Sequence, residues 1–248
     1  QVNLEESDCF AGNCPSRGDD LTICPSGFWG FRHELGMPLS LADAPDVPTE
    51  IHVPGGLNFV ISVCLDPAFV MRPSHETSLR SLLAGVQWTR ADSRAATFEA
   101  LKAAQPHLVY FYCHGGLTAS KVPYLKVGQM SERGITRDNL RAKGVVWEDP
   151  RPLVFINGCH TAALEPGTAF ELVSGFVETA GAAGVIGTEI TIFEPLATAF
   201  AERFWLEFSR GVEVGEAIRK ARLALLKQSN PLGLVYIPYT LAGLRIKM

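Results

Sequence analysis

The sequence predicts an α/β domain built on a mostly parallel central sheet, and three observations carry that expectation. Short apolar runs without polar alternation, at Leu57 to Leu65, Leu108 to Cys113, Leu153 to Ile156 and Gly184 to Thr188, read as strands buried on both faces. Segments of helical period separate them, and a strand–helix–strand crossover joins parallel strands with a right-handed turn. The chain is also large enough: 248 residues, 47% hydrophobic and 19% charged, can bury one sizeable core.

The elements follow in chain order. Residues 1–56, rich in proline and glycine, read as an irregular amino-terminal extension packed on the domain, which itself spans 57–248. Within the extension, Cys24 to His33 packs three aromatics into a few residues and reads as a plug over one sheet edge. The strand from Leu57 stops at Asp66-Pro67. Ser74 is expected to cap a helix over His75 to Val86, with Leu79, Leu82 and Leu83 as its apolar stripe. A helix from Arg94 to Ala104 stops before Pro106. The strand ending at His114 comes next, then a short strand over Tyr124 to Val127. A helix over Arg137 to Lys143 follows, capped by Thr136 and ended by Gly144. Past the strand at Leu153, helices are expected over Thr168 to Thr179, Leu196 to Phe208 and Val214 to Lys227, and a last strand over Leu232 to Thr240.

Several function classes fall away. A formal charge of −4 gives no electrostatic reason to expect nucleic-acid binding. Neither a signal peptide nor a membrane-length apolar run is legible, so the cytoplasm is the expected compartment and the six cysteines are expected to be reduced. Cys9, Cys14, Cys24 and His33 are weighed as zinc ligands and read as structural, so no metal is expected. No phosphate-cradling glycine loop is present, and no organic cofactor is expected.

The chemistry lies at the carboxyl ends of two strands. Leu153-Val154-Phe155-Ile156 leads into Asn157-Gly158, a turn signal expected to present Cys159 just past the strand. Leu108 to Cys113 leads into His114-Gly115-Gly116, a second apolar run ending in glycine, with His114 expected as the last residue before the turn. In open α/β sheets, sites are built at this edge. A free thiol is only a few per cent thiolate at neutral pH, and a neighbouring imidazole supplies the base that makes it a nucleophile. Acyl transfer also needs donors for a developing oxyanion. Gly115 and the Cys159 N–H are the candidates for that role, with Gly116 close by. A lone buried cysteine is the bland alternative for Cys159, and a satisfied core histidine for His114. Their shared position at glycine-flanked strand ends favours catalysis. Cys113 points to the face opposite His114 and is read as core, and His160 leaves a sharp turn in the wrong direction to serve as the base.

These residues resemble a known family. Tyr112-Cys113-His114-Gly115-Gly116 with Phe155-Ile156-Asn157-Gly158-Cys159 is similar to the histidine and cysteine motifs of caspase-like peptidases. His114 and Cys159 stand 45 residues apart, against roughly fifty in caspases. The caspase pentapeptide is absent, with Gly158-Cys159-His160-Thr161-Ala162 in its place. That variant, with Cys24 to His33, Gly184 to Glu189 and Asn230 to Tyr236, resembles bacterial CHAT domains over nearly the whole chain. The resemblance implies a caspase–hemoglobinase three-layer sandwich and endopeptidase activity through a cysteine–histidine dyad, with separase a more distant relative. It also implies a protein or peptide substrate and an upstream repeat or sensor domain in a larger bacterial protein, possible settings including antiviral defence. A start at Gln1 agrees with a domain cut from a longer chain. By the same resemblance the primary specificity pocket draws on Thr188 to Glu194. Glu189, Thr191 and Glu194 are its candidates, a carboxylate there favouring a basic residue before the cut. Glu189 reads equally well as a solvated loop charge, and Glu194 before Pro195 also suits a helix start. An inactive scaffold on the same fold is the alternative function.

Overall fold

The computed structural model describes residues 24–39, 46–159, 171–188 and 190–248. Among them, one sheet is ordered β3-β2-β4-β6-β7-β8, with β5 paired to β4 off that path. These strands are β2 (Asn58–Val63), β3 (Gln87–Ala91), β4 (Leu108–Leu117), β5 (Pro123–Lys126), β6 (Leu153–Cys159), β7 (Gly184–Thr188) and β8 (Tyr236–Tyr239). The pairs through β3, β2, β4, β6 and β7 are parallel, while β5 and β8 run antiparallel to their neighbours. A separate parallel pair joins β1 (Glu50–His52) to β9 (Arg245–Lys247).

Helices cover both faces, giving the expected three-layer sandwich. On one face lie α2 (Arg72–Leu82), α5 (Glu194–Phe208) and α6 (Val214–Leu226), a short helix α1 (Trp29–Arg32) resting on α6. Phe155 of β6 meets Phe200, Phe204 and Trp205 of α5 on that side. The other face holds α3 (Arg94–Ala103), α4 (Arg137–Ala142) and a helical segment ending in a wide turn over Gly175–Thr179. There Phe111 packs on Phe176, Phe176 on Trp147, and the Trp147 indole N–H donates to Leu101 O. Burying aromatics of this size on both faces is the main cohesive term of the core.

Local chemistry explains most boundaries. Ser93 caps α3 by accepting from Ala96 N, and Thr136 with Asn139 forms a reciprocal capping box on α4. Helix α2 starts earlier than expected, at Arg72, because Pro73 suits a first helical turn; Ser74 is inside it and donates back to Met71 O. It also ends earlier, and the chain turns at Gly85 into β3, a strand the sequence reading does not contain. The aromatic segment near Trp29 buries Gly30 and Phe31, and beyond it Met37 N donates to Pro238 O of β8, the last strand in the sheet order. No helix among the described residues is long and apolar enough to cross a membrane.

Charges clip β1 to β9. Glu50 accepts from Lys247 Nζ at 2.7 Å and from an Arg245 guanidinium nitrogen at 2.9 Å. Lys247 first and Arg245 second lower its carboxyl pKa from 4.5 to about 2. A depressed carboxyl pKa stabilises the folded state above the unfolded value, and that contribution disappears as pH falls through the folded one. Acidifying from about pH 4.5 towards pH 2 is therefore expected to lower amide protection, taken relative to the intrinsic exchange rate at each pH, in residues 50–52 and 245–247 before the central sheet responds. Protection that stays flat across that range in this pair would contradict the clip.

Candidate active site

The strands differ from the expected layout at one telling point. No turn follows His114 and none precedes Cys159: β4 runs on through His114 to Leu117, and β6 runs through Asn157 and Gly158 to Cys159. Pairing supplies the reason. At His114, β4 leaves β2 and continues against β5, with His114 opposite Lys126 and Gly115 opposite Leu125. On its other side β4 stays in register with β6 until the final pair, His114 opposite Cys159. Adjacent strands lie about 4.8 Å apart, so the backbone brings these two residues side by side at the carboxyl edge.

Two contacts fix the imidazole. Its Nε2 lies 2.8 Å from Asp66 Oδ2, and the ring stacks on Phe69 with centroids 4.3 Å apart. Asp66 is held in turn, its Oδ1 accepting the Ala68 N–H at 2.8 Å. That N–H, and then His114, keep the Asp66 carboxyl below its ordinary range, so it is ionised at neutral pH. An ionised carboxylate only accepts, so the proton of a neutral His114 sits on Nε2 and Nδ1 carries the lone pair.

The loop bearing Asp66 and Phe69 is clasped at both ends. Arg72 Nη1 donates to Cys64 O at 2.6 Å, and Met71 N donates to Glu194 Oε1 at 2.9 Å. The same carboxylate oxygen accepts the Tyr112 hydroxyl at 2.5 Å, and Tyr112 packs on Phe69 at 5.0 Å. Glu194, expected among the specificity candidates, thus lies at the first turn of α5 with this oxygen engaged inside the protein. Its observed task is to tie α5 to β4 and to the Asp66 loop.

The remaining candidates are placed as follows. Gly115 is buried in the β4–β5 ladder, and a side chain at Gly116 would meet the Tyr124 ring, its hydroxyl at 2.8 Å. Thr191 is exposed between β7 and α5. Glu189 and His160 lie outside the described residues, as do Cys9 and Cys14. Cys113 is fully buried, and so is Cys64, whose thiol pKa is pushed up by that burial. A cavity of about 350 Å³ lined by His52, Asn58, Gln87, His107 and Asp149 opens at the opposite, amino-terminal edge of the strands. Sequence reasoning missed Asp66 and Phe69. Asp66 carried a signal, since it directly follows a central strand beside β4, whereas Phe69 depends on the fold of its loop.

Comparison with known proteins gives a consistent picture. A family model described as the CHAT domain matches residues 34–239. A probable protease of Vitiosangium sp. (strain GDMCC 1.1324) is 49% identical over 253 residues, covering 98% of this chain and 33% of its own length. The chain therefore spans about a third of that relative. Among solved structures, the Saccharomyces cerevisiae separase–securin complex superposes on 82% of this chain and 13% of the matched chain, with TM-score 0.53 and 12% identity. The Arg-specific cysteine proteinase gingipain R superposes on 77% of this chain and 48% of its own, with TM-score 0.55 and 11% identity. At such identities these two likenesses concern the fold.

Proposed function

The chain belongs to the CHAT domain family, and from that premise we propose that it is a cysteine endopeptidase using Cys159 as nucleophile and His114 as base. The pairing of His114 with Cys159 at the last rung of the β4–β6 ladder is the observation that carries this reading. With Nε2 committed to Asp66, Nδ1 is the nitrogen available to the thiol. In the proposed reaction Nδ1 takes the thiol proton and the sulfur attacks the peptide carbonyl carbon. The oxyanion is held by backbone N–H groups, with Gly115 and Cys159 as candidates. The imidazolium then protonates the departing amine, and a water activated by the same nitrogen hydrolyses the thioester. Asp66 steadies the imidazolium formed in between.

The substrate is proposed to be a protein. The threefold greater length of the Vitiosangium relative supports an effector role in which this domain answers to a further module of a larger bacterial protein, as in triggered defence systems. Hydrolysis of a fluorescence-quenched peptide library, lost in His114→Ala, tests the reading; undiminished hydrolysis by that variant contradicts it. Asp66→Asn is expected to lower kcat roughly a hundredfold with little change in KM, because an amide can place its own donor against Nε2 and misorient the ring. Wild-type kcat in Asp66→Asn would remove Asp66 from the mechanism.

A further inference from the structure

Asn157 is a polar side chain that follows the apolar run Leu153, Val154, Phe155 and Ile156 on β6, and it is 2% exposed. Burying an amide is costly unless its bonds are made. Here they are. Nδ2 donates to the Tyr110 hydroxyl at 2.7 Å and to Ala197 O at 2.8 Å, while Oδ1 accepts the Tyr236 hydroxyl at 2.8 Å. One side chain of β6 is thereby tied to β4, α5 and β8.

Donor and acceptor counting gives the line a direction for the neutral imidazole. In a neutral His75 whose Nδ1–H faces the Glu202 carboxylate, Nε2 is the acceptor, so the Tyr110 hydroxyl donates to it at 2.9 Å while accepting from Asn157. That Nδ1–H donates to Glu202 Oε1 at 2.7 Å. On the other side, the Tyr236 ring lies flat on Phe200 with centroids 3.7 Å apart, and its carbonyl accepts from Arg222 Nη2 at 2.5 Å. The partners of Asn157 are therefore held in place themselves, which makes the clamp stiff.

The location gives this clamp a purpose. The β6–β7 register runs from Leu153 to Phe155, whereas the β6–β4 register continues to Cys159. Beyond Phe155, Asn157 supplies a side-chain tie across the sheet to β8, two residues before Cys159. We propose that Asn157, with Tyr110 and Tyr236, positions the tip of β6 so that Cys159 meets His114. This rests on the reading of those two residues as nucleophile and base.

Site-resolved alkylation by iodoacetamide, followed by mass spectrometry of the Cys159 peptide, tests this without a known substrate. Tyr236→Phe removes one hydroxyl and keeps the stack on Phe200. It is expected to slow Cys159 alkylation about tenfold at neutral pH, the worth of one hydrogen bond, and to leave the rate at strongly alkaline pH unchanged. A purely architectural role would lower the melting temperature without altering that pH profile. Tyr110→Phe cuts the clamp from the β4 side and serves should Tyr236→Phe fail to fold. A wild-type alkylation profile in either folded variant overturns the proposal. His114→Ala separates the two levels: if it leaves alkylation unchanged, the dyad reading fails; if it slows alkylation while the tyrosine variants do not, only the clamp fails.

Discussion

Cys159→Ala is expected to reduce peptide hydrolysis more than about a thousandfold while the melting temperature stays within about two degrees of the parent. The two halves of that expectation come from different physics. Removing the sulfur deletes the atom to which the proposed mechanism assigns the covalent intermediate, and the other thiols of the sheet, Cys64 and Cys113, are buried. The fold should not notice, because the tip of β6 is held by its ladder to β4 and by the Asn157 side chain. Hydrolysis of a quenched peptide library and a thermal melt, run on the same preparation, check both halves. Full-rate cleavage by Cys159→Ala would end the nucleophile assignment, and a collapsed melt would show that the thiol also supports the core.

Much of the sheet was legible because its central strands are buried on both faces and therefore written as unbroken apolar runs. β2, β4, β6 and β7 all show this, with Phe59, Val60, Tyr110, Phe111, Val154 and Ile186 fully buried. β3 was not, for the opposite reason. It ends the sheet order, and of Gln87 to Ala91 only Ala91 is buried, so its composition looks like a loop between helices. β1 and β9 were invisible too: each is three residues long, and what makes them strands is pairing between Glu50 and Arg245, nearly the whole chain apart.

The site divides along a similar line. That His114 and Cys159 would be neighbours could be anticipated because two apolar runs end near glycines and parallel strands share an edge. That argument reached further than it was taken, since Asp66 stands at the same edge after β2 and was read only as the end of a strand. The expected turn before Cys159 was an error of local reasoning. Asn157-Gly158 is a good turn signal in isolation, but the ladder with an extended β4 outweighs it. Glu194 has a partnership that charge alone does not reveal: one carboxylate oxygen is taken by Tyr112 and Met71, contacts that exist only once β4, α2 and α5 are assembled.

Arg222→Met is expected to destabilise the protein by about 3 kcal/mol or more, seen as a lowered urea midpoint. Arg222 is 2% exposed, and the partners it shows are backbone carbonyls rather than a carboxylate: Gly30 O at 3.1 Å, Gly233 O at 3.3 Å and Tyr236 O at 2.5 Å. Burial lowers its pKa from 12.5 to about 10, which still leaves it charged at neutral pH. Two effects oppose each other. Desolvating the cation is costly, so an apolar replacement recovers that cost, and exchanging an entire buried polar set for apolar groups can be neutral. Here the set cannot be exchanged, because the acceptors belong to the main chain and remain after the mutation. Hydrogen bonds from a charged donor are worth about 1.5–3 kcal/mol each, and losing them outweighs the recovered desolvation. Methionine fills most of the stem's volume, so the loss measures the bonds and not a cavity. Arg222→Lys should fall between, since one ammonium cannot span three carbonyls drawn from two distant stretches of the chain. An unchanged midpoint in Arg222→Met would mean that the aromatic segment at Gly30 and the turn at Gly233 are held without this cation. The helix period already marked the residue: Ile218, Ala221, Arg222 and Leu225 form one buried stripe of α6, and a guanidinium on such a stripe requires buried acceptors to meet it.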